Sequence, residues 1–249
     1  MPQRSPIGPC GPGGGQPTEG VALILLAAGQ GTRVGHETNK VFLPLAGRRV
    51  LTWSLDSTQH LPGLVRTVVV LQDEDRVHAD EVLHREARGR VVTLVGGGDT
   101  RHASELQALR ALTPQIRSGE VDVVVIHDAA RPLASPRMFA EVADEARLRG
   151  GALPVLDQEG LVFDDGSAVR TRLVTVQTPQ AFHALPLLKA YERAAREGFV
   201  GSDTAACVER FSDLQVHGVS GDAGNIKITF PEDLFLAERL LARAHWRLT

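Results

Sequence analysis

Near its start the chain reads Leu25-Leu26-Ala27-Ala28-Gly29-Gln30-Gly31-Thr32-Arg33-Val34-Gly35, followed shortly by Asn39-Lys40-Val41-Phe42-Leu43-Pro44-Leu45. The apolar run Val21–Leu26 that enters this stretch predicts a buried strand, and the small residues and glycines after it predict a tight loop. Glycines let backbone N–H groups approach an anion closely, and Arg33 and Lys40 can neutralise its charge. The stretch therefore predicts a strand leading into a polyphosphate-binding loop, with a nucleotide as the ligand.

Three kinds of glycine loop bind nucleotides, and the spacing here separates them. The dinucleotide fingerprint G-x-G-x-x-G needs its third glycine one position before Gly35, and a P-loop needs a Gly-Lys-Ser/Thr that this stretch lacks. The third pattern, A-A-G-x-G-x-R followed by a lysine, is typical of sugar-nucleotide pyrophosphorylases. The chain fits that pattern with Ala27, Ala28, Gly29, Gly31, Arg33 and Lys40.

Length and composition limit the class of protein. With 249 residues, 43% hydrophobic and only 4% aromatic, we expect one domain with an aliphatic core. The net charge of −3 argues against a nonspecific nucleic-acid binder. No apolar run reaches membrane-spanning length, and the first residues lack the apolar core of a signal peptide. The two cysteines, Cys10 and Cys207, do not indicate a structural disulfide, so we expect a cytoplasmic protein.

Valine-rich runs alternate with amphipathic stretches along residues 21–249, which we expect to fold after a Pro/Gly-rich, disordered extension at residues 1–20. This alternation predicts an α/β fold in which helices cover both faces of a parallel sheet. Ligands of such sheets bind beyond the carboxyl ends of the strands. We expect strands at 21–26, 67–71, 91–95, 121–127, 152–156 and 215–219, and helices at 50–60, 75–87, 101–112, 136–149, 184–197, 203–211 and after Pro231.

The pattern changes at residues 157–176. Two short alternating segments, residues 160–163 and 169–176, flank Asp164-Asp165-Gly166-Ser167, and Asp-Gly between such segments is a strong hairpin signal. A hairpin inserted into a parallel fold has little of its own core to pack against. We therefore predict an inserted β-hairpin arm that packs on a partner chain, with a surface flap as the alternative.

A charged motif, His127-Asp128-Ala129-Ala130-Arg131-Pro132, ends the strand at residues 121–127. A carboxylate at the end of a central parallel strand is costly unless it binds a cation, and Mg²⁺ takes oxygen ligands and accompanies nucleotide phosphates. Asp128 is therefore predicted to hold Mg²⁺, and Arg131 to bind a substrate phosphate through its forked guanidinium. An ion pair between Asp128 and Arg131 is the structural alternative.

A second glycine loop, Gly96-Gly97-Gly98-Asp99-Thr100-Arg101-His102-Ala103-Ser104, follows the strand at residues 91–95. Its backbone N–H groups, the Asp99 carboxylate and the Ser104 hydroxyl are suited to reading the edge of a base. The alternative is a glycine turn in which Asp99 or Thr100 caps the next helix.

Late in the chain, Lys227 alternates with Ile226 and Ile228, so its side chain lies on the opposite face from theirs. A site lysine and a solvated edge-strand lysine both fit this pattern. Asp222, just upstream, is a candidate second metal ligand or a turn residue. Thr178 and Ser202 are polar positions near element ends that could line a substrate pocket.

These motifs, in this order, resemble the 2-C-methyl-D-erythritol 4-phosphate cytidylyltransferase family from Val21 to about Leu241. The resemblance implies a Rossmann-like nucleotidyltransferase fold with a mostly parallel sheet, and a homodimer whose arms cross into the partner's site. It also implies transfer of CMP from CTP to the phosphate of methylerythritol phosphate, with Mg²⁺ as cofactor and pyrophosphate released, in isoprenoid precursor synthesis. The residues that carry it are Ala27-Ala28-Gly29-Gln30-Gly31-Thr32-Arg33, Lys40, Gly97-Gly98-Asp99-Thr100-Arg101, His127-Asp128-Ala129-Ala130-Arg131-Pro132, Gln177-Thr178-Pro179-Gln180-Ala181-Phe182 and Asn225-Ile226-Lys227-Ile228-Thr229.

The same resemblance implies roles for individual residues. Arg33 and Lys40 match the pair that stabilises the transition state at the triphosphate. Gly98, Asp99 and Ser104 match the cytosine-recognition loop, and Asp128 and Arg131 the pair near the metal and the substrate phosphate. Two further cations, Arg170 on the arm and Lys227, match the residues that position the acceptor.

The chain departs from the family pattern on the acceptor side. The family usually reads Asp-Thr-Ile-Lys where this chain has Asp157-Gln158-Glu159-Gly160, and Thr-Asp-Asp/Glu-Ala where it has Ser202-Asp203-Thr204-Ala205. Gln158 and Ser202 fall on these departures, and with Asp128, Arg131 and Thr178 they are the expected substrate-binding positions. A cytidylyltransferase for another phosphate or phosphonate, such as ribitol 5-phosphate, is the alternative.

Two rival classes are a non-catalytic nucleotide-binding homologue and a nicotinamide-dependent oxidoreductase. The intact cations Arg33, Lys40 and Lys227 argue against the first. The displaced third glycine argues against the second.

Overall fold

The computed structural model describes residues 19–29, 39–160 and 171–246. Its main element is an eight-stranded mixed sheet with the order β10-β7-β9-β6-β1-β4-β5, and β8 pairs with β7 beside it. A small two-stranded sheet of β2 and β3 stands apart. The strands are β1 (Val21–Leu26), β2 (Pro44–Leu45), β3 (Arg48–Arg49), β4 (Leu64–Leu71), β5 (Thr93–Gly96), β6 (Val123–Asp128), β7 (Gly150–Asp157), β8 (Val174–Val176), β9 (Gln180–His183) and β10 (Gln215–Ser220).

Helices cover both faces of this sheet, as the alternation of valine-rich and amphipathic segments predicts. The predicted helix at residues 136–149 is confirmed at both ends, because Ser135 caps it, Pro136 begins it and Gly150 follows it. The helices are α1 (Val50–Asp56), α2 (Arg76–Glu86), α3 (Arg101–Ala111), α4 (Thr113–Ser118), α5 (Pro136–Arg149), α6 (Ala184–Arg196), α7 (Thr204–Phe211) and α8 (Pro231–Trp246). Within the described ranges, every helix is too short or too polar to span a bilayer.

The centre of the sheet is parallel, and this decides where the site lies. β1 pairs in parallel with β4 and β6, in a register that sets Leu26 opposite both Val70 and Asp128. β4 in turn pairs in parallel with β5. The carboxyl ends of these four strands therefore meet at one edge, where residues 27–29, the second glycine loop and the Asp128 motif come together.

Alternate residues of β1 pack on opposite faces of the sheet. Leu23 and Leu25 join one buried cluster, and Ala22 and Ile24 join the other. Because both faces are covered, the strand reads as a continuous apolar run.

The structure adds elements that the sequence did not predict. β9 lies antiparallel between β6 and β7, and α4 and the β2–β3 pair are also new. β9 carries only two apolar residues, Ala181 and Phe182, directly after the Thr178-Pro179 segment, so its pattern is too short to indicate a strand. The expected α/β fold with a mostly parallel sheet is confirmed.

The base of the predicted arm lies within the described residues. β8 pairs antiparallel with the end of β7, with Asp157 opposite Val174 and Val155 opposite Val176. Leu173, Val174 and Val176 are partly exposed on this pair. The predicted turn Asp164-Asp165-Gly166-Ser167 and residues 1–18 of the predicted extension lie outside the described residues.

Candidate active site

A cavity of about 440 Å³ opens at the carboxyl edge of the sheet, between the loops that follow β1, β5 and β6. Its wall contains most of the predicted nucleotide-site residues and the predicted metal carboxylate. The residues that line it are Leu26, Ala27, Ala28, Gly29, Lys40, Val41, Gln72, Gly98, Asp99, Thr100, Arg101, Ser104, Asp128, Ala130 and Lys227.

The second glycine loop lies against the first, and only glycine fits at two positions. A Cβ on Gly97 would lie 2.6 Å from the Cβ of Ala28, and a Cβ on Gly98 would lie 2.5 Å from the Cβ of Ala103. The Gly98 N–H donates to the Ser104 hydroxyl at 3.1 Å, which fixes the loop over the first turn of α3. Thr100 is the residue that caps α3, because its hydroxyl accepts from the N–H of Ala103. Asp99, the other predicted cap, lies on the cavity wall instead.

We expect Gly98→Ala to weaken CTP binding about tenfold, because overpacking of this contact must move the loop that faces the cavity. Isothermal titration calorimetry with CTP measures the change. Ala103→Gly in the Gly98→Ala background removes the colliding methyl group and should recover part of the affinity. Unchanged affinity in the single variant would show that CTP does not contact this loop.

Lys40 lies in the cavity wall and begins a 3₁₀ turn, Lys40–Phe42. The preceding residue, Asn39, fixes this turn. Its Nδ2 donates to the Ala27 carbonyl at 2.7 Å and to Asp75 Oδ2 at 2.8 Å, and its Oδ1 accepts from the N–H of Val41. Lys40 is only 9% exposed as a residue, so a site lysine describes it better than a solvated surface lysine does.

Two structural contributors to this wall were not predicted. Asn39 was quoted only as part of the motif, and Gln72 had no predicted role. Gln72 Nε2 donates to the Ala28 carbonyl at 2.8 Å and thereby joins the end of β4 to the first glycine loop. Its position directly after the last residue of β4 was the available signal, since ligands of parallel sheets gather there.

Asp128, which also lines the cavity, is held between two cations. Lys227 Nζ lies 2.7 Å from Asp128 Oδ2, and Arg101 Nε lies 3.4 Å from Oδ1. Burial by itself would raise the pKa of Asp128, but Arg101 and Lys227 hold that pKa well below its usual range. Asp128 is therefore an ionised carboxylate at the cavity wall.

A hydrogen-bonded chain behind the wall fixes Asp128. Its N–H donates to the Thr178 hydroxyl at 3.0 Å, and that hydroxyl lies 3.1 Å from His127 Nδ1. Burial lowers the pKa of His127 to about 4, so the ring is neutral. His127 Nε2 lies 3.1 Å from the Arg131 carbonyl, which only accepts, so the proton is on Nε2 and Nδ1 accepts from Thr178.

The Lys227 segment lies against the end of the Asp128 motif. The N–H of Ile228 donates to the Ala130 carbonyl at 2.8 Å, and the Ile228 side chain is fully buried. Lys227 thus faces away from the core toward Asp128, although residues 221–230 form no strand. Lys227 therefore lines the cavity and does not lie on an edge strand.

The structure brings nine predicted site residues together at the cavity: Ala27, Ala28, Gly29, Lys40, Gly98, Asp99, Ser104, Asp128 and Lys227. Thr178 lies behind the wall, as described above. Gly31, Arg33 and Arg170 lie outside the described residues.

Four other predicted positions lie elsewhere. Arg131 does not form the alternative ion pair with Asp128; its Nη1 donates to the Asn225 carbonyl at 2.8 Å, and Asp128 pairs with Lys227 and Arg101 instead. Gln158 is exposed at the base of the arm, where Nε2 donates to the Thr175 hydroxyl. Ser202 is exposed just before α7. The structure does not bring Asp222 to Asp128: it lines a separate apolar pocket beside α8, and its Oδ1 accepts from the N–H of Gly224.

The side chains at the cavity decide how it could hold Mg²⁺. No three His, Cys, Asp or Glu side chains of residues 19–29, 39–160 and 171–246 form a metal cluster. Nucleotide-dependent enzymes usually hold Mg²⁺ through one or two carboxylates, with substrate phosphates and water completing the shell. The ionised Asp128 on the wall fits that arrangement.

Comparisons with known proteins agree with this geometry. The sequence model for 2-C-methyl-D-erythritol 4-phosphate cytidylyltransferase matches residues 21–243. A protein of that name from Cereibacter sphaeroides is 39% identical over 229 residues, which cover 90% of this chain and 97% of that protein. The crystal structure of 4-diphosphocytidyl-2C-methyl-D-erythritol synthase from Anaerococcus prevotii aligns with a TM-score of 0.75 at 26% identity, covering 90% and 96% of the two chains. A 2-C-methyl-D-erythritol 4-phosphate cytidylyltransferase from Thermus thermophilus aligns with a TM-score of 0.66 at 30% identity, covering 88% and 98%.

Proposed function

The chain belongs to the 2-C-methyl-D-erythritol 4-phosphate cytidylyltransferase family, and from this premise we propose how its residues divide the work of the reaction. The enzyme transfers CMP from CTP to the phosphate of 2-C-methyl-D-erythritol 4-phosphate and releases pyrophosphate, a step in isoprenoid precursor synthesis. One observation carries the proposed division of roles. Lys40, Asp128 and Lys227 line one cavity together with Gly98, Asp99 and Ser104 of the second glycine loop.

In the proposed mechanism, a phosphate oxygen of the acceptor attacks the α-phosphorus of CTP in line, and the bond to the pyrophosphate oxygen breaks. The nucleophile is already anionic, so no general base is required. Catalysis then depends on positioning and on stabilising negative charge. Lys40, with Arg33 from the same motif, stabilises charge on the α-phosphate and the leaving pyrophosphate. Lys227 and the arm residue Arg170 hold the acceptor phosphate against repulsion by the triphosphate.

We assign the base and the metal to different residues of the cavity wall. Gly98, Asp99 and Ser104 face the cytosine, and the small residues Ala27, Ala28, Gly29 and Gly31 follow the phosphates. Asp128 would hold Mg²⁺, which supplies charge neutralisation between the phosphates when bound. The Thr178 and His127 contacts orient Asp128 for that task.

The direct test is turnover with purified enzyme, detected as released pyrophosphate. CTP with methylerythritol phosphate should react, whereas UTP, ATP and NAD should neither react nor raise the melting temperature as CTP with Mg²⁺ does. Ribitol 5-phosphate belongs in the same assay, because Gln158 and Ser202 depart from the family pattern. Faster turnover of ribitol 5-phosphate than of methylerythritol phosphate would identify ribitol 5-phosphate as the preferred acceptor. Stabilisation by CTP without turnover of any acceptor would support the non-catalytic homologue.

We further propose a homodimer with exchanged arms. Leu173, Val174 and Val176 are 42%, 38% and 42% exposed on the β7–β8 pair, and a partner chain would cover them. Gln158 lies on the same pair, so its effect on the acceptor would be exerted in the partner's site. A cytoplasmic location is part of this proposal, since Cys207 is a free, buried thiol as expected in a reducing compartment.

Subunit mixing tests the exchanged arm. If the arm crosses, Arg170→Ala and Lys40→Ala damage different halves of a composite site. Random exchange between the two inactive homodimers should then restore about a quarter of wild-type activity, because half of the dimers are hybrids with one intact site of two. Each variant incubated alone is the control. A fully active monomer in analytical ultracentrifugation would refute the exchanged arm.

A further inference from the structure

A buried carboxylate lies directly behind the cavity wall. Glu105 on α3 is fully buried, and its Oε1 accepts from Arg101 Nη1 at 2.5 Å and from the Thr204 hydroxyl at 2.6 Å. Its Oε2 accepts from the Tyr191 hydroxyl at 2.6 Å. These contacts join α3 to α6 and α7, and the proposed mechanism gives none of them a role.

Each of these contacts of Glu105 is with a hydrogen-bond donor, the arrangement that an ionised carboxylate requires. Burial raises the pKa of Glu105 above its usual range, and Arg101, Thr204 and Tyr191 only partly oppose that rise. All three partners donate to its two oxygens, and Thr204 itself accepts from Arg101 Nη1 at 3.2 Å. Charge-assisted hydrogen bonds of this kind are stronger than neutral ones and fix the orientation of a guanidinium.

Arg101 connects this network to the site. Arg101 Nη1 contacts Glu105, and Arg101 Nε lies 3.4 Å from Asp128 Oδ1. The guanidinium therefore bridges Glu105, which lies behind the cavity wall, and Asp128, which lies on it. Arg101 lines the CTP cavity beside Thr100, and although it belongs to the second glycine motif, no role was predicted for it. A guanidinium held at both ends presents a fixed cation at the phosphate side of the cavity.

The Thr204 contact explains a departure from the family pattern. That pattern, Thr-Asp-Asp/Glu-Ala, has an acidic residue at the position of Thr204. In this chain the residue is a threonine, and its hydroxyl contacts both Glu105 and Arg101. A side chain at position 204 therefore faces the same guanidinium nitrogen as Glu105 does.

We propose that Glu105 is a positioning residue that orients Arg101 across Asp128 for triphosphate binding, and that it replaces the acidic residue expected at position 204. Without the Glu105 charge, the Arg101 side chain regains rotamer freedom and is drawn toward Asp128. CTP then binds to a site whose phosphate-facing cation is no longer preorganised. This inference rests on the proposed CTP site.

The first experiment removes the charge and keeps the shape. Glu105→Gln should weaken CTP binding about tenfold in calorimetry, with a smaller loss for CMP, because the missing order of Arg101 affects the phosphates most. A purely structural role would lower the melting temperature without changing the ratio of CMP to CTP affinity. If wild-type enzyme fails to bind CTP, the proposed function is wrong; if it binds and folded Glu105→Gln binds equally well, only the role of Glu105 is wrong.

The second experiment moves the carboxylate to the position that the family pattern uses. Glu105→Ala combined with Thr204→Glu should bind CTP at least about fivefold more tightly than Glu105→Ala with Thr204→Gln, which differs only in charge. Equal affinities would overturn the proposal. If these double variants do not fold, the CTP affinities of Arg101→Lys and Glu105→Gln test the proposal instead. Arg101 begins α3 and is partly exposed, and lysine there keeps the charge but cannot span both carboxylates. Wild-type CTP affinity in both folded variants would refute the positioning role.

Discussion

Lys40→Ala is expected to lower kcat about 10²-fold or more while the protein keeps its fold, as for the loss of other electrostatic donors at a transition state. Lys40 lines the cavity, and Asn39 holds the turn that carries it. Because the side chain is 9% exposed, few water molecules screen its charge, and the interaction with phosphate is correspondingly strong. Steady-state release of pyrophosphate at saturating CTP measures the effect.

The composition of the chain provides a matched control. It contains only three lysines, of which Lys40 and Lys227 line the cavity and Lys189 is exposed on α6. Lys189→Ala removes the same charge away from the site and should leave kcat unchanged. Turnover by Lys40→Ala at the rate of the Lys189 variant would show that the lysine of the first motif does not act on the triphosphate.

Much of the fold could be predicted from local sequence. β1 and α5 have the predicted bounds, because the first is a buried apolar run that ends in glycines and the second carries its own caps. β9 could not be predicted, since its place between β6 and β7 results from tertiary pairing rather than from its own pattern. The location of the site could also be predicted from local sequence. It lies at the loops that follow the central parallel strands, because the carboxyl ends of those strands meet at one edge of the sheet.

The partners of individual charges could not be predicted in this way. Arg131 is three residues from Asp128 in sequence, yet Asp128 pairs with Arg101 and with Lys227, 27 and 99 residues away. Glu105 in an amphipathic helix would ordinarily be assigned to the solvated face, and only the packing of α6 and α7 reveals that it is buried. Long-range ion pairs depend on how helices pack, and this information is absent from local spacing.

Asp128→Asn should have opposite effects on catalysis and on binding. We expect kcat to fall about 10²-fold or more, because the amide cannot hold Mg²⁺ at the phosphates. In contrast, binding of CTP measured without metal should become several-fold tighter. The variant removes a negative charge from a phosphate site and frees Lys227, whose Nζ lies 2.7 Å from the carboxylate, to face the triphosphate, while Glu105 still holds Arg101. Activity as a function of Mg²⁺ and calorimetry in chelator measure the two effects separately.

Asp222→Asn is the control for this prediction, because Asp222 was the second candidate metal ligand and lies in a different pocket. Its Oδ1 accepts from the N–H of Gly224, a contact that an asparagine oxygen preserves. This variant should therefore leave both kcat and metal-free CTP affinity unchanged. A loss of activity equal to that of Asp128→Asn would restore Asp222 as a metal ligand. Weaker metal-free binding by Asp128→Asn would instead place the triphosphate away from Asp128, since removing a carboxylate next to phosphate can only reduce repulsion.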